Sequence, residues 1–173
     1  MTEATRFEKG LAALRILLGA GFLFAGLDKL FAWGGSAFNA AGFLKGATGG
    51  TWVGTDAKVI VNPTHDFWVT LGGNAQAVDM INFLVVFGEI AIGTALILGL
   101  ATRFAAICAV VMMGLFYVAN WSFANGPFNE QFYYGAIAAI LAYTGAGEHY
   151  GLDAWVEKMS FVKRHPSLKL VLE

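Results

Sequence analysis

The chain has 173 residues, of which 57% are hydrophobic and 13% charged, with a mean hydropathy of +0.62 and a net charge of −1. Soluble domains carry about 25% charged residues, so this deficit indicates that lipid covers part of the apolar surface. The near-neutral net charge predicts no nucleic-acid partner. Cys108 is the only cysteine, which excludes an intrachain disulfide and a Cys-x-x-Cys redox pair.

Four apolar segments predict an all-α integral membrane fold, a bundle of four transmembrane helices. They lie at about 10–33, 78–100, 103–124 and 129–146. The fourth is the shortest and falls below the roughly 20 residues that a perpendicular crossing needs. The chain is therefore expected to form a single membrane domain with the lipid bilayer as its main environment.

The connection over residues 34–77 is too long for a turn and predicts an outer lid. Within it, 36–45 is expected to form a short interfacial helix capped by Ser36, and the sequence TWVGTDAKVIV (51–61) reads as extended. A second short helix is expected after Pro63, with Thr64 as its N-cap.

A C-terminal interfacial helix is expected over residues 152–164. Apolar residues recur there at helical spacing, with charged residues mostly between them, as in a helix that lies on a membrane surface. The apolar positions are Leu152, Trp155, Val156, Met159 and Val162.

The distribution of Lys and Arg predicts how the helices are oriented. Eight of the eleven basic residues fall on one side of the predicted bundle, which places both termini in the cytoplasm of a multi-pass protein of the cell membrane. The eight are Arg6, Lys9, Arg15, Arg103, Lys158, Lys163, Arg164 and Lys169, and the outer three are Lys29, Lys45 and Lys58.

Each of the first three helices carries a polar stripe along one face. Because lipid penalises polar side chains, the three stripes are expected to face one another as a seam inside the bundle. The stripes are Arg15, Gly19, Phe22, Gly26 and Lys29; then Asp79, Asn82, Val86, Glu89, Gly93 and Leu96; then Arg103, Ala106, Val110, Met113, Tyr117 and Asn120.

Glu89 lies near the middle of an apolar span, where an ionised carboxylate costs about 2.5–3.5 kcal/mol. Holding it protonated at pH 7 costs a similar amount, about 3.7 kcal/mol, so both states stay open. We expect Arg15 to be its counter-charge and Lys29 to pair with Asp79. Glu89 and Arg15 are thus candidate catalytic residues that handle protons, and a structural Arg–Glu clamp is the equally weighted alternative.

Further candidates come from aromatic and polar residues near the predicted outer face. Tyr117, Asn120 and Trp121 could hold a quinone ring, although an interfacial aromatic belt with one interhelical hydrogen bond is the favoured interpretation. His65 could bind an anion or take a proton, and a solvated loop histidine is the alternative. No pattern of ligands for haem, flavin or metal is present in the sequence.

Four sequence blocks carry a resemblance to a known family. They are RILLGAGFLFAGLDKL (15–30), GEIAIGTALILGLATRFAA (88–106), FYVANW (116–121) and GAGEHYGLDAW (145–155). Together they resemble the DoxX/DoxD membrane-protein family, and NPTHDFW (62–68) is similar to its DoxD-type branch.

The resemblance implies a four-helix membrane fold and two alternative functions. DoxD is the membrane subunit of thiosulfate:quinone oxidoreductase, which joins two thiosulfates to tetrathionate and passes electrons to quinone with a partner subunit. By that resemblance the lid would bind a sulfur oxyanion through His65 and Lys29, and the seam would bind quinone. The alternative is a non-catalytic accessory or scaffold subunit of a respiratory or redox membrane complex.

Overall fold

A computed structural model describes residues 3–47, 51–53, 57–59, 62–121, 127–147 and 150–157. In these ranges the chain is helical apart from one short hairpin, in agreement with the predicted helical class. The helices are α1 (Glu3–Phe31), α2 (Ala40–Gly42), a π-helical turn (Phe43–Ala47), α3 (His65–Gly73), α4 (Ala75–Leu98), α5 (Thr102–Ala119), α6 (Glu130–Tyr143) and α7 (Asp153–Val156).

Three of the described helices are long and apolar enough to cross a membrane. They correspond to Thr5–Phe31, Ala75–Leu98 and Thr102–Ala119. Helix α6 has 14 residues, which is about 21 Å of helix and less than the roughly 30 Å hydrocarbon core of a bilayer.

The four longest helices pack in a ring. Helix α1 packs most extensively on α4, α5 packs on α6, and thinner contacts between α4 and α5 and between α1 and α6 complete the ring. The α1–α4 contact is close because glycines face each other there. A Cβ at Gly19 would lie 2.9 Å from the Gly93 carbonyl oxygen, so only glycine permits this approach of the two backbones.

A tight turn joins α4 to α5. Gly99 ends α4 in the left-handed conformation (φ 64°) and its amide donates to the carbonyls of α4's last turn. Ala101 is also left-handed (φ 49°) and begins α5. This turn marks one end of the ring, which we call the turn end; the opposite end, which carries the long connection between α1 and α4, is the connection end.

The connection between α1 and α4 folds into short elements. Strands β1 (Thr51–Val53) and β2 (Ala57–Val59) pair antiparallel within the segment predicted to be extended. The predicted cap Ser36 is wrong: Asn39 caps α2, because its side chain accepts from the Ala41 amide. Helix α3 begins after Thr64 as predicted, but the Thr64 hydroxyl donates to Asn62 and does not cap the helix.

Two asparagines attach the connection to the long helices. The amide of Asn62 donates to the carbonyls of Val118 and Ala119 at the end of α5, at 3.0 and 2.9 Å. The side chain of Asn82 on α4 accepts from the Ala40 amide at 2.8 Å. The connection is therefore held against α4 and α5.

The C-terminal part of the described chain folds back onto the turn end. Asp153 in α7 is fully buried, whereas Trp155 is exposed. Of the helix predicted over 152–164, residues 158–164 lie outside the described residues, as do 122–124 of the third predicted span.

Candidate functional site: a buried ion pair beside an apolar cavity

A buried ion pair joins α1 to α4. The ammonium Nζ of Lys29 donates to Glu89 Oε1 at 2.9 Å and lies 2.9 Å from Oε2. The Glu89 side chain is 4% exposed and that of Lys29 is 23% exposed. Only the contact with Oε1 is aligned as a hydrogen bond, so Oε2 is buried with no hydrogen-bond partner among the described residues.

Helix α1 and the connection hold the Lys29 ammonium in place. A longer 3.4 Å contact runs from Nζ to the Ala25 carbonyl, one turn back along α1. The Phe38 ring lies 5.5 Å from Nζ, a distance suited to a cation–π contact. Gly26 permits the close approach, since a Cβ there would lie 3.1 Å from the Glu89 Cβ.

The predicted pairing of charges is wrong. Lys29, and not Arg15, is the counter-charge of Glu89, and the Lys29–Asp79 pair does not form because Asp79 is exposed. The reason is the register of the antiparallel α1–α4 contact. Arg15 lies beside Gly99, which is ten residues or about 15 Å along the chain from Glu89.

Arg15 is instead the centre of a second buried cluster, at the turn end. Its guanidinium donates to the carbonyls of Ala146 at 2.8 Å and Tyr150 at 3.0 Å, and the side chain is fully buried. Asp153 is the acidic partner whose charge acts on Arg15. Arg15 thus ties α1 to the segment that follows α6.

The Asp153 carboxylate connects this cluster to helix α5. It accepts from the backbone amides of Ala101 at 2.6 Å and Thr102 at 2.9 Å, which belong to the first turn of α5. A carboxylate at a helix N-terminus stabilises the helix through these otherwise unpaired amides. Asp153 is a residue that the sequence analysis missed.

Glycines close the space around the Arg15 guanidinium. A Cβ at Gly99 or Gly151 would collide with Arg15, and a Cβ at Gly147 would collide with Asp153. The guanidinium is therefore enclosed by backbone, which suits a structural clamp. Arg15 does not line the cavity described next.

A cavity of about 1080 Å³ lies between α4 and α5 and reaches back to α1 and α6. Its lining includes Lys29 and Glu89, so the ion pair forms part of its wall. Every α5 residue that lines it is apolar, from Phe104 to Ala119. Further polar side chains in the wall come from the start of α6, where Glu130, Gln131 and Tyr134 contribute.

The family comparison covers almost the whole chain. The family described as "TQO small subunit DoxD" matches residues 11–172. The chain belongs to the DoxD family. It is therefore a membrane protein of the family named for a subunit of thiosulfate:quinone oxidoreductase. The comparisons with curated proteins and with solved structures found no match.

In this DoxD-family chain, the predicted ring-holding residues stand apart from the cavity. Tyr117 donates to the Pro127 carbonyl at 3.0 Å, and the Asn120 amide closes the last turn of α5. Neither they nor Trp121 line the cavity, although their neighbours Phe116 and Ala119 do. Their role in holding a quinone stays a prediction.

His65 and Lys29, the predicted oxyanion ligands, lie in different helices, α3 and α1. His65 begins α3, and it does not line the cavity. Lys29 is engaged with Glu89. Within the part of the chain that the structure describes, no group of three His, Cys, Asp or Glu side chains could hold a metal ion.

Proposed function

We propose that this chain is the membrane subunit of a thiosulfate:quinone oxidoreductase and that its cavity binds the quinone. The observation that carries the proposal is the Lys29–Glu89 pair in the wall of an otherwise largely apolar cavity. Ligand sites combine apolar walls with a few convergent polar groups in this way. Family membership supports the choice of quinone and thiosulfate.

The reaction needs a proton source beside the acceptor. Two thiosulfates join through a new S–S bond to give tetrathionate and release two electrons. A bound quinone takes up those two electrons with two protons and leaves as the quinol. The protein must therefore supply hydrogen-bond donors at the ring oxygens and a route for protons.

The ion pair fits both needs. Lys29 Nζ is held by Glu89 and Phe38, and an ammonium so placed can donate to a ring oxygen and stabilise negative charge that develops on it. The Glu89 carboxylate bonds to Lys29, and both residues line the cavity, so Glu89 can take a proton and pass it to the ligand by way of Lys29. Gln131 and Tyr134 are further groups in the wall that can orient the ring.

The proposal includes the finer topology. Helix α6 is the fourth crossing, and it is short because the Asn129 side chain caps it at Glu130. Both termini lie in the cytoplasm, so the connection is an outer lid. Thiosulfate binds on that side, with His65 as a candidate ligand and a partner subunit beside it.

The proposal is tested by Glu89→Gln and Lys29→Met in membranes that carry out thiosulfate-dependent quinone reduction. We expect each variant to lower turnover by about 100-fold or more, the size of effect seen when a proton-transfer group is removed. The matched control is Asp79→Asn, which makes the same carboxylate-to-amide change at an exposed position of α4. Unchanged turnover in both variants, or none in the wild type, contradicts the proposal.

A second candidate is a non-catalytic accessory subunit. The observation that favours it is that Lys29 and Glu89 join the two most extensively packed helices, as a packing clamp would. In that case Glu89→Gln lowers the amount of assembled complex while turnover per assembled complex stays at the wild-type value. Quantifying the complex in the same membranes separates the two functions.

A further inference from the structure

The cavity extends well beyond the ion pair, along the gap between α4 and α5. Ala91 and Ala95 of α4 and Ile107 and Val111 of α5 line this part. Ile107 is 47% exposed and Val111 57% exposed, so the gap opens on the outer surface of the helix ring. Both helices are long and apolar enough to cross a membrane, and this opening therefore faces lipid chains.

The cavity is larger than a quinone ring, and much of its wall carries no polar group that a ring oxygen could contact. Drug-sized ligands occupy pockets of about 300–1,000 Å³, and this cavity of about 1080 Å³ is at the upper end of that range. Its charged groups all come from α1, α4 and α6, whereas the α5 wall is apolar throughout. An occupant that fills the whole space has a small polar end and a long apolar extension.

We propose that the α4–α5 gap holds the isoprenoid tail of the quinone, which enters sideways from the bilayer while its ring reaches Lys29 and Glu89. The inference rests on the proposed function for the ring. Gly88 on α4 lies against the side chain of Met112 on α5, and Met112 can move aside because it is unbranched and has three rotatable bonds. Ala91 and Cys108 are further small residues in the cavity wall. The groove is continuous with the ion pair, which favours a tail attached to the ring over a separate lipid chain.

Lipid chains are as apolar as the isoprenoid tail, so moving the tail from the bilayer into the groove gains no hydrophobic free energy. The test therefore blocks the groove with a bulky side chain. Ala91→Phe places a ring in the gap. Ala20→Phe is the matched control, since Ala20 is an exposed alanine of α1 that does not line the cavity. Binding is measured in proteoliposomes at equal mole fractions of menadione, which has no tail, and of a menaquinone with four isoprene units.

We expect Ala91→Phe to weaken binding of the tailed menaquinone by about 10-fold or more, the size of an overpacking penalty. Binding of menadione should change by less than about twofold, as should binding of either compound to Ala20→Phe. Equal weakening of both compounds, or no weakening of the tailed one, overturns the tail groove. If the wild type binds neither compound, the proposed quinone site fails as well.

A second readout uses the wild-type protein alone. Cys108 lines the cavity and is the only cysteine, so N-ethylmaleimide labelling reports on the gap. The tailed menaquinone should slow labelling of Cys108 by about fivefold or more, and menadione should have little effect. Equal protection by both compounds contradicts the inference. Equal protection by added phospholipid identifies a lipid chain as the occupant and also overturns it.

Discussion

Within the described residues, charged side chains are buried in two groups, and these differ in what surrounds them. Arg15 and Asp153 at the turn end are fully buried, bonded to backbone carbonyls and amides, and enclosed by glycines. Lys29 and Glu89 bond mainly to each other and form part of a cavity wall. One cluster is closed on all sides by protein, whereas the other is open to a ligand.

Under the proposed function, the difference separates a structural role for Arg15 and Asp153 from a chemical role for Lys29 and Glu89. A buried charge bonded to backbone fixes the positions of the segments that supply the partners, and Arg15 and Asp153 join α1, α5 and the segment after α6. A charge in a cavity wall can change partners when a ligand arrives. Four substitutions can break or sharpen this comparison, with effects on stability that decrease from the first to the last.

Arg15→Met should have the largest effect on stability. It leaves the Ala146 and Tyr150 carbonyls without their donor and the Asp153 charge without its buried cation. Removing one partner of a buried charge pair in this way lowers the free energy of unfolding by about 3–5 kcal/mol. Chemical unfolding in detergent measures it, with Arg6→Met at an exposed position of the same helix as control. Equal stability of the two variants would show that the cluster is no clamp.

Asp153→Ala should have the next largest effect. The amides of Ala101 and Thr102 lose a charged acceptor, and a hydrogen bond to a charged group contributes about 1.5–3 kcal/mol. The same unfolding experiment measures the loss, and hydrogen exchange should rise first at the start of α5. Asp66→Ala, at an exposed position of α3, is the control. Uniform exchange along α5 would argue against capping.

Gly93→Ala tests the helix contact that sets the register of both clusters. The added Cβ meets the α1 backbone at Leu23 and lies 2.7 Å from the Gly19 carbonyl oxygen, so the helices must separate. Overpacking of this kind costs about 1–3 kcal/mol. Gly114→Ala is the control: its Cβ meets nothing within 4 Å, and alanine favours a helix by about 1 kcal/mol. A variant Gly93→Ala as stable as Gly114→Ala would refute the close contact.

Glu89→Gln should have the smallest effect on stability and a large one on turnover. The amide oxygen still accepts from Lys29, and the 23% exposure of the Lys29 side chain lets water reach its ammonium, so the loss should be about 1 kcal/mol, less than for a fully buried charge left unpaired. Thermal unfolding of the purified protein measures it. A destabilisation as large as that of Arg15→Met would indicate that the Lys29–Glu89 pair has a structural role, like Arg15 and Asp153.

Much of the fold could be predicted because apolar periodicity fixes helices and faces locally. The stripe that includes Arg15, Lys29 and the glycines between them does face α4, as its spacing indicated. The pairing of Glu89 was wrong because spacing gives the face of a helix and not its register along a neighbour. That register depends on where Gly19 meets Gly93, a contact between residues far apart in sequence.

Asp153 shows a second limit of the sequence. Aspartate is a common N-cap residue, but a cap can be recognised from sequence only when the helix follows directly along the chain. The helix that it caps begins 51 residues earlier, at Thr102. Tyr134 and Gln131 were missed as cavity residues for the same reason, since helix α6 had no polar stripe to orient it.

The most direct test of the central claim is equilibrium binding of a quinone to the purified wild-type protein and to Lys29→Met, with unfolding temperatures measured on the same samples. The account predicts that the wild type binds quinone and that Lys29→Met weakens binding by about 10-fold or more, the size expected for a lost charged hydrogen bond, while the unfolding temperatures show that both proteins are folded under the conditions of the assay. Equal binding by the two proteins, or no binding by the wild type, would contradict the assignment of Lys29 and Glu89 to a ligand site.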